Sequence, residues 1–275
     1  MEKAVYLAGP GMLGRAKNYS RVYYGTEFCQ NLIPSPDELK AMYSAAGAKG
    51  KSLTLLTPYV TDRGLDKLKA LFRYLDKQES RTEVVFNDWG VLKLLNEEYA
   101  SLEPVLGRLL TKQRRDPRVA AALLNTQKAQ KKIDGETGTT NILIPKENPP
   151  SLYEHFRGSV INAPVFRKFL QARGIRRVEI DNLAWDMKVE TGKRIGVSVY
   201  LPFAYVTTTR LCGLLTMSYA ACRKECRKYF LSFKSPSSPY PFFIRGNTVF
   251  YKSKTPTERY LKKRGIDRIV CNGVK

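Results

Sequence analysis

The chain has 275 residues, 43% of them hydrophobic, which is enough for a substantial buried core in one large domain or two small ones. We expect a single domain over residues 1–275. Five cysteines are an odd and low number for a disulfide-stapled secreted protein, and no apolar leader precedes Lys3, so we expect the protein in the reducing cytoplasm. The formal net charge of +22 predicts either a solvated basic surface or affinity for a polyanion such as nucleic acid or an anionic membrane surface.

Short apolar segments alternate with helical patterns through the first part of the chain. The predicted strands cover residues 4–8, 22–24, 52–56, 82–86 and 104–110. Helices are predicted from Pro36 to Ala46, from an N-cap at Thr61 to Leu75, and shortly after Asp88. This alternation is typical of an α/β protein.

The alternation is interrupted between Thr111 and Pro150, where the sequence is basic, then alanine-rich, then rich in turn residues. We interpret residues 111–150 as an excursion from the core. Beyond it, the predicted elements are a helix over 156–174, strands over 177–181 and 195–201, a hairpin over 242–251, a short helix over 259–264 and a strand over 267–271. About eight strands separated by helices predict a (β/α)8 TIM-like barrel with some irregularity, and an open doubly wound sheet is the alternative.

The segment 199–222 contains a single charge but also Pro202 and three consecutive threonines, so we interpret it as a buried strand and a loop rather than a transmembrane segment.

In a barrel, the carboxyl ends of the strands meet at one mouth. The polar or sulfur-containing side chains expected there are Glu27, Cys29, Asp88, Arg108, Glu179, Asp181 and the loop after Leu201.

Cysteines are concentrated in one stretch. Cys212, Cys222 and Cys226 lie within 15 positions, and a spacing of four would put the last two thiols on one face of a helix. This pattern indicates three ligands of a metal site. From the residues alone, the fourth ligand is either Cys29 or Cys271.

Several motifs follow one another in chain order: Arg21-Val-Tyr-Tyr-Gly25 with Cys29, Asp88-Trp-Gly-Val-Leu92, Leu201-Pro-Phe-Ala-Tyr205, Arg210-Leu-Cys212, the Cys222 and Cys226 pair, and Gly265-Ile-Asp-Arg-Ile-Val270. This ordered set resembles the peptidase family U32, the collagenase-like peptidases, and is most similar to its iron-sulfur branch, which includes the ubiquinone-biosynthesis pair UbiU and UbiV. The resemblance covers nearly the whole chain.

The resemblance implies a 4Fe-4S cluster held by Cys29, Cys212, Cys222 and Cys226, with Cys271 left as a small buried hydrophobic residue. It also implies oxygen-independent hydroxylation, of a quinone precursor or of RNA bases, and members that work as a pair of homologous subunits. Zinc is the alternative metal, although its structural sites usually contain Cys-x-x-Cys pairs, which this sequence lacks.

Proteolysis has little support. The glutamate and His-Gly pair of the peptidase-type members are missing from the segment Val197–Tyr205, and the single histidine, His155, is expected at the surface. The first hypothesis is therefore an iron-sulfur enzyme or enzyme subunit whose candidate catalytic or substrate-positioning residues are Glu27, Asp88, Glu179 and Arg210. The second is an RNA-binding or RNA-modifying protein that contacts phosphates through basic residues between 108 and 132.

Overall fold

The computed structural model describes residues 1–78, 81–119, 132–133, 140–141, 149–192, 194–212 and 222–273, with backbone alone at 132–133 and 140–141. The strands, numbered β1 to β13 in chain order, are Glu2–Leu7, Arg21–Gly25, Ser52–Leu56, Glu83–Phe86, Glu103–Leu106, Lys132–Ile133, Thr140–Asn141, Arg177–Asp181, Gly196–Thr208, Leu231–Phe233, Phe242–Arg245, Thr248–Lys252 and Arg268–Asn272. The helices, α1 to α6, are Pro36–Gly47, Asp62–Asp76, Trp89–Glu98, Pro150–Arg157, Pro164–Ala172 and Glu258–Lys263.

Eight parallel strands form a closed barrel. The pairing runs β1-β2-β3-β4-β5-β8-β9-β13, and β13 pairs in parallel with β1. This confirms the predicted (β/α)8 barrel and excludes the open doubly wound sheet. The barrel is irregular between β5 and β8, where Leu106 pairs with Val178. The predicted excursion over residues 111–150 falls in the chain segment that connects these two strands.

Alternation of side chains along the strands separates two apolar layers. Residues such as Val22 and Tyr24 face the helices and join the main core, whereas Tyr23 faces the barrel interior. The interior cluster consists of Ala4, Tyr23, Leu56, Val85, Val105, Tyr200 and Val270. Below it, Arg268 forms an ion pair with Glu83 at 2.7 Å, which satisfies buried charges at the amino-terminal end of the barrel.

Two predicted elements differ from the structure for local reasons. The fifth strand ends at Leu106 rather than at residue 110. The single helix predicted over 156–174 is instead two helices, α4 and α5, because α4 ends at Arg157, just before Gly158, and Pro164 begins α5. A proline is well suited to the first turn of a helix but not to its interior.

The seventh barrel strand continues beyond its predicted end. Past Leu201, β9 leaves the barrel and pairs antiparallel with β12, which creates a sheet with the order β10-β11-β12-β9. The hairpin of β11 and β12 was predicted and is confirmed. This antiparallel sheet lies at the carboxyl-terminal mouth of the barrel, and the cysteine-rich stretch lies between its strands β9 and β10.

Within the excursion, β6 and β7 form an antiparallel ribbon, and residues 120–131, 134–139 and 142–148 lie outside the described residues. None of the described helices is both long enough and apolar enough to cross a membrane.

Candidate functional site

A cavity of about 120 Å³ opens at the carboxyl-terminal mouth of the barrel. Its walls come from the segments that follow β1, β2, β9 and β13 and from the β11–β12 hairpin. Cys29, Cys212, Cys222 and Cys226 all line this cavity. Cys271 does not: it lies on β13 and packs against the main core between the barrel and the helices.

The four cysteines reach the cavity from three segments. Cys29 follows β2 and begins the short 3-10 turn Gln30–Leu32, and Cys212 follows the end of β9. The described residues 222–230 contain no α-helix, so the spacing of four between Cys222 and Cys226 does not here correspond to one helical face. Instead Lys224 takes a left-handed conformation with φ of 57°, and the chain then makes the 3-10 turn Glu225–Arg227.

Asn247, at the tip of the β11–β12 hairpin, holds two cysteine-bearing segments together. Its side-chain amide donates to the carbonyl of Phe28 at 2.7 Å and to the carbonyl of Thr209 at 2.5 Å. The Thr209 amide donates back to the Asn247 carbonyl at 3.1 Å. These bonds fix the backbone next to Cys29 relative to the strand end that leads to Cys212.

Gly246 provides the space in which two of the thiols meet. Its φ of +61° lies in the left-handed region, and a Cβ added there would lie 3.1 Å from Cys226 Cβ, 3.3 Å from Cys226 Sγ and 4.0 Å from Cys212 Sγ. Glycine tolerates this backbone conformation at little cost, and its missing side chain leaves room for the sulfur atoms.

Burial raises the pKa of the Cys29 and Cys226 thiols, and the negative charges of the neighbouring cysteines raise each further. The nearby Arg245 guanidinium acts in the opposite direction on Cys226, and its Nε donates to the Cys226 carbonyl at 3.0 Å. The four thiolates would therefore repel one another, and a bound cation would relieve that repulsion.

A buried charge network forms one side of the cavity. Arg108 donates to Glu27 from Nε at 3.0 Å and from Nη2 at 2.5 Å, and it pairs with Asp181 at 2.5 Å. Arg115 pairs with the other oxygen of Asp181 at 2.6 Å. The Arg108 guanidinium also lies 3.7 Å from the ring centroid of Tyr200, which lines the cavity.

Glu179 lies one layer deeper, inside the barrel. It accepts hydrogen bonds from the hydroxyl of Tyr23 at 2.7 Å and from the hydroxyl of Tyr200. Burial, followed by the negative charge of Glu27, raises the pKa of Glu179 to about 7. This carboxyl group therefore holds its proton to a higher pH than an ordinary glutamate does.

The four candidate catalytic residues lie in three different places. Glu27 and Arg210 line the cavity, and the Arg210 guanidinium lies 5.6 Å from the centroid of the Tyr59 ring. Glu179 is in the layer beneath. Asp88 does not line the cavity: its carboxylate caps α3 by accepting from Gly90 N at 2.7 Å, and it accepts from Val60 N at 3.2 Å. Asp88 therefore lies outside this cavity, and its catalytic role stays a prediction from the sequence.

The basic segment is less available to phosphate than its sequence suggests. Arg108 and Arg115 are buried in the charge network, and Arg118 pairs with Asp116 at 2.5 Å. Most of the remaining basic positions up to Lys132 lie outside the residues whose side chains are described. His155 is exposed on α4, as predicted, and its ring packs against Phe156.

Arg227, Arg245 and Asn247 also line the cavity and were not among the predicted site residues. Arg227 is next to a predicted ligand and could have been found from that position. Asn247 was interpreted as a turn residue, because Gly-Asn at a hairpin tip already has a local explanation. Nothing in the local sequence indicates its contacts with Phe28 and Thr209.

Across the described part of the chain, no group of three or more Cys, His, Asp or Glu side chains is arranged to hold a single metal ion. Tetrahedral zinc would need its sulfur ligands about 3.8 Å apart, since each Zn–S bond is about 2.3 Å. In a 4Fe-4S cluster each thiolate binds a different iron atom, so the sulfur atoms need not converge on one point.

The fold and cavity together define a (β/α)8 barrel protein with four cysteines at the mouth of the barrel. The sequence matches no protein-family model and no curated protein. Among solved structures, the chain is similar to the U32 peptidase Mk0906, with a TM-score of 0.47, 9% identity, and coverage of 99% of this chain and 93% of that one.

The same comparison finds chitinases. A GH18 chitinase from Cycas revoluta gives a TM-score of 0.40 with 8% identity over 100% of this chain and 95% of that one. A chitinase from Trichuris suis gives 0.39 with 9% identity over 98% and 91%. These TM-scores and identities are too low to assign a family or an activity to this chain. Its assignment as a barrel rests on the pairing of its own strands.

Proposed function

We propose that this chain binds a 4Fe-4S cluster through Cys29, Cys212, Cys222 and Cys226 and works as an enzyme, or as a subunit of one, in redox modification of a small aromatic or quinone-type substrate. The observation that carries the proposal is that these four of the five cysteines line one cavity although 183 positions separate the first from the next. The hydroxylation chemistry and the substrate class come from the sequence resemblance to the iron-sulfur branch of family U32.

The residues around the cavity fit such a group. Four thiolates are the usual ligand set of a 4Fe-4S cluster. Gly246 leaves space beside Cys226 and Cys212 that a larger residue would fill. Arg227 and Arg245 add positive charge to the cavity wall, which would stabilise the more negative, reduced form of the cluster and raise its reduction potential.

When bound, the cluster would supply one-electron transfer. The protein's own residues have separate roles around it. Arg210 is exposed at the cavity and can bind an anionic group of a substrate. Glu27 is held by two hydrogen bonds from Arg108, so we assign it to orientation of the cavity wall rather than to proton abstraction.

The test is iron and acid-labile sulfide content after anaerobic purification and reconstitution. We expect iron and sulfide in the wild-type chain and the loss of both in Cys222→Ala. Cys271→Ala is the matched control and should keep both, because Cys271 lies outside the cavity. Stoichiometric zinc without iron, or equal iron in the two variants, would overturn the proposal.

The RNA-binding alternative gains no specific support from the charge network, which uses Arg108 and Arg115 internally. A paired homologous subunit is a further prediction from the resemblance, and co-purification from cells that express the tagged chain would test it.

A further inference from the structure

A second concave surface, with a volume of about 500 Å³, lies beside the cavity at the mouth of the barrel. Its walls come from the segment after β2, from α1 and α2, and from the residues that begin at Cys222. We call it the basic groove and define it by its charged and sulfur-containing residues, which are Glu38, Arg63, Lys67, Cys222 and Lys224.

Cys222 joins the basic groove to the cavity. Its side chain is half-buried, and it lines both of them. Of the four candidate ligands, all of which lie in the described part of the chain, Cys222 alone lines the groove. A molecule in the groove would therefore contact one end of the candidate site without entering the cavity.

The cations of the groove are available to a partner. Arg63 and Lys67 are exposed and four positions apart on α2, so they lie on the same face of that helix. Within the residues that the structure describes, neither they nor Lys224 forms an ion pair. The neighbouring segment 213–221 has no charged residue that could neutralise them.

Glu38, the acid of the groove, is already held by its own neighbours. It accepts a hydrogen bond from the backbone nitrogen of Ser35 at 2.8 Å, and it pairs with Arg227 at 3.8 Å. Three other exposed acids on α1 and α2 do not line the groove; they are Asp37, Asp62 and Asp66. The lining therefore has three cations against one acid that is already paired.

We propose that the basic groove docks a small acidic electron-carrier protein that supplies electrons to the cluster, an inference that rests on the cluster proposed above. One electron leaves the reduced flavin or iron centre of the carrier, which is thereby oxidised, and the same electron reduces the bound cluster. Encounters between redox proteins use small interfaces, and opposite charges on the two surfaces speed and orient them. The net charge of +22 adds a long-range attraction for an acidic carrier.

The groove suits an acidic protein better than a nucleic acid. None of the described residues that line it is aromatic, whereas proteins that bind single strands stack the bases on aromatic rings. The groove also reaches a cysteine of the proposed redox site. Contact with Cys222 has a use in electron transfer but none in binding phosphates.

The experiment measures binding of two acidic one-electron carriers, a flavodoxin and a plant-type 2Fe-2S ferredoxin, to the full chain by calorimetry before and after cluster reconstitution. We expect at least one of them to bind at low ionic strength, with an affinity that falls as NaCl is raised. Arg63→Glu and Lys67→Glu should each weaken binding roughly tenfold, because each puts a like charge against the carrier. The rate at which the reduced carrier bleaches the cluster absorption should fall by a similar factor.

Lys168→Glu is the matched control. Lys168 is an exposed lysine within α5 that lies outside the groove, so it receives the same substitution in a helix on another part of the barrel. It should bind the carriers like the wild type, and the unfolding midpoints of all variants should be compared so that a folding defect is recognised.

Absence of binding of both carriers at low salt, or equal losses in Lys67→Glu and Lys168→Glu, would overturn the docking site. Iron and sulfide content tests the cluster separately, so a chain that contains the cluster but binds neither carrier contradicts the docking site alone. Binding of a single-stranded RNA oligonucleotide that Lys67→Glu abolishes, without carrier binding, would assign the groove to nucleic acid instead.

Discussion

Arg108 and Glu27 are 81 positions apart in the chain and form a two-point ion pair at the mouth of the barrel, with donor–acceptor distances of 3.0 and 2.5 Å. Arg108 follows β5 and Glu27 follows β2, so the pair joins the ends of two strands that are not neighbours in the barrel. The same guanidinium reaches Asp181, the last residue of β8. One buried side chain therefore links the segments after β2 and β5 to the end of β8.

Removal of the Arg108 charge should strongly destabilise the fold. Arg108→Met leaves Glu27 buried without its cation, and loss of one partner of a buried ion pair costs on the order of 3–5 kcal/mol. Urea denaturation should show a fall of this size in the free energy of unfolding. Arg118→Met is the control, because its pair with Asp116 is at the surface, where solvent screens the charges and the pair contributes little to stability. Similar losses in the two variants would contradict a structural role for the buried network.

Glu179 should make stability depend on pH. Its pKa is about 7 in the folded protein against 4.5 as the ordinary value, so the folded state binds more protons than the unfolded state between these two values. Stability should therefore fall as pH rises through this window, and above it the protein bears the full cost of a buried carboxylate. By linkage this cost is on the order of 3 kcal/mol.

Glu179→Gln cannot ionise; its Oε1 can accept from one tyrosine hydroxyl, and its amide nitrogen can donate to the oxygen of the other. We expect the variant to gain stability relative to wild type as pH increases from about 4.5 to about 7. The measurement is the free energy of unfolding of both proteins across this range, with Glu98→Gln, an exposed residue, as the control. If the pH profiles of wild type and Glu179→Gln run parallel, Glu179 does not titrate in the window.

Gly246 should be less tolerant of substitution than another glycine with the same backbone. Gly246 and Gly50 have φ values of +61° and +62°, but a Cβ at Gly50 would meet nothing within 4 Å. Alanine at either position costs about 1–2 kcal/mol for the left-handed conformation. Gly246→Ala should cost about 1–3 kcal/mol more, because its methyl group overlaps Cys226.

Comparison of the two alanine variants by urea denaturation measures this difference without any cofactor. The proposed cluster adds a second readout, since Gly246→Ala should also bind less iron than Gly50→Ala after anaerobic reconstitution. Equal stabilities would show that Cys226 moves aside at no cost.

Most of the barrel could be predicted from the sequence, because its signals are local. Runs such as Ser52–Leu56 and Arg177–Asp181 are buried strands, and the observed bounds match the predicted ones. The spacing of four between Cys222 and Cys226 is compatible with a helix but does not require one, and the chain makes a 3-10 turn at Cys226. The helix expected over 156–174 failed because the pattern was followed through Gly158 and Pro164.

The candidate site was also predictable only in part from the sequence. The sequence by itself determined which side chains follow strand ends, and therefore that Glu27, Cys29 and Arg108 would meet near one mouth if the strands closed into a barrel. It also determined that five thiols were available. Their separation into four at the cavity and one on β13 depends on barrel closure and on the register of β13. Only the tertiary structure decided two sets of contacts: the pairing of Arg108 with Glu27, and the hydrogen bonds of Asn247 to Phe28 and Thr209. Contacts between positions far apart in the chain depend on strand register and on where the hairpin lies, and no local periodicity in the sequence encodes either of these.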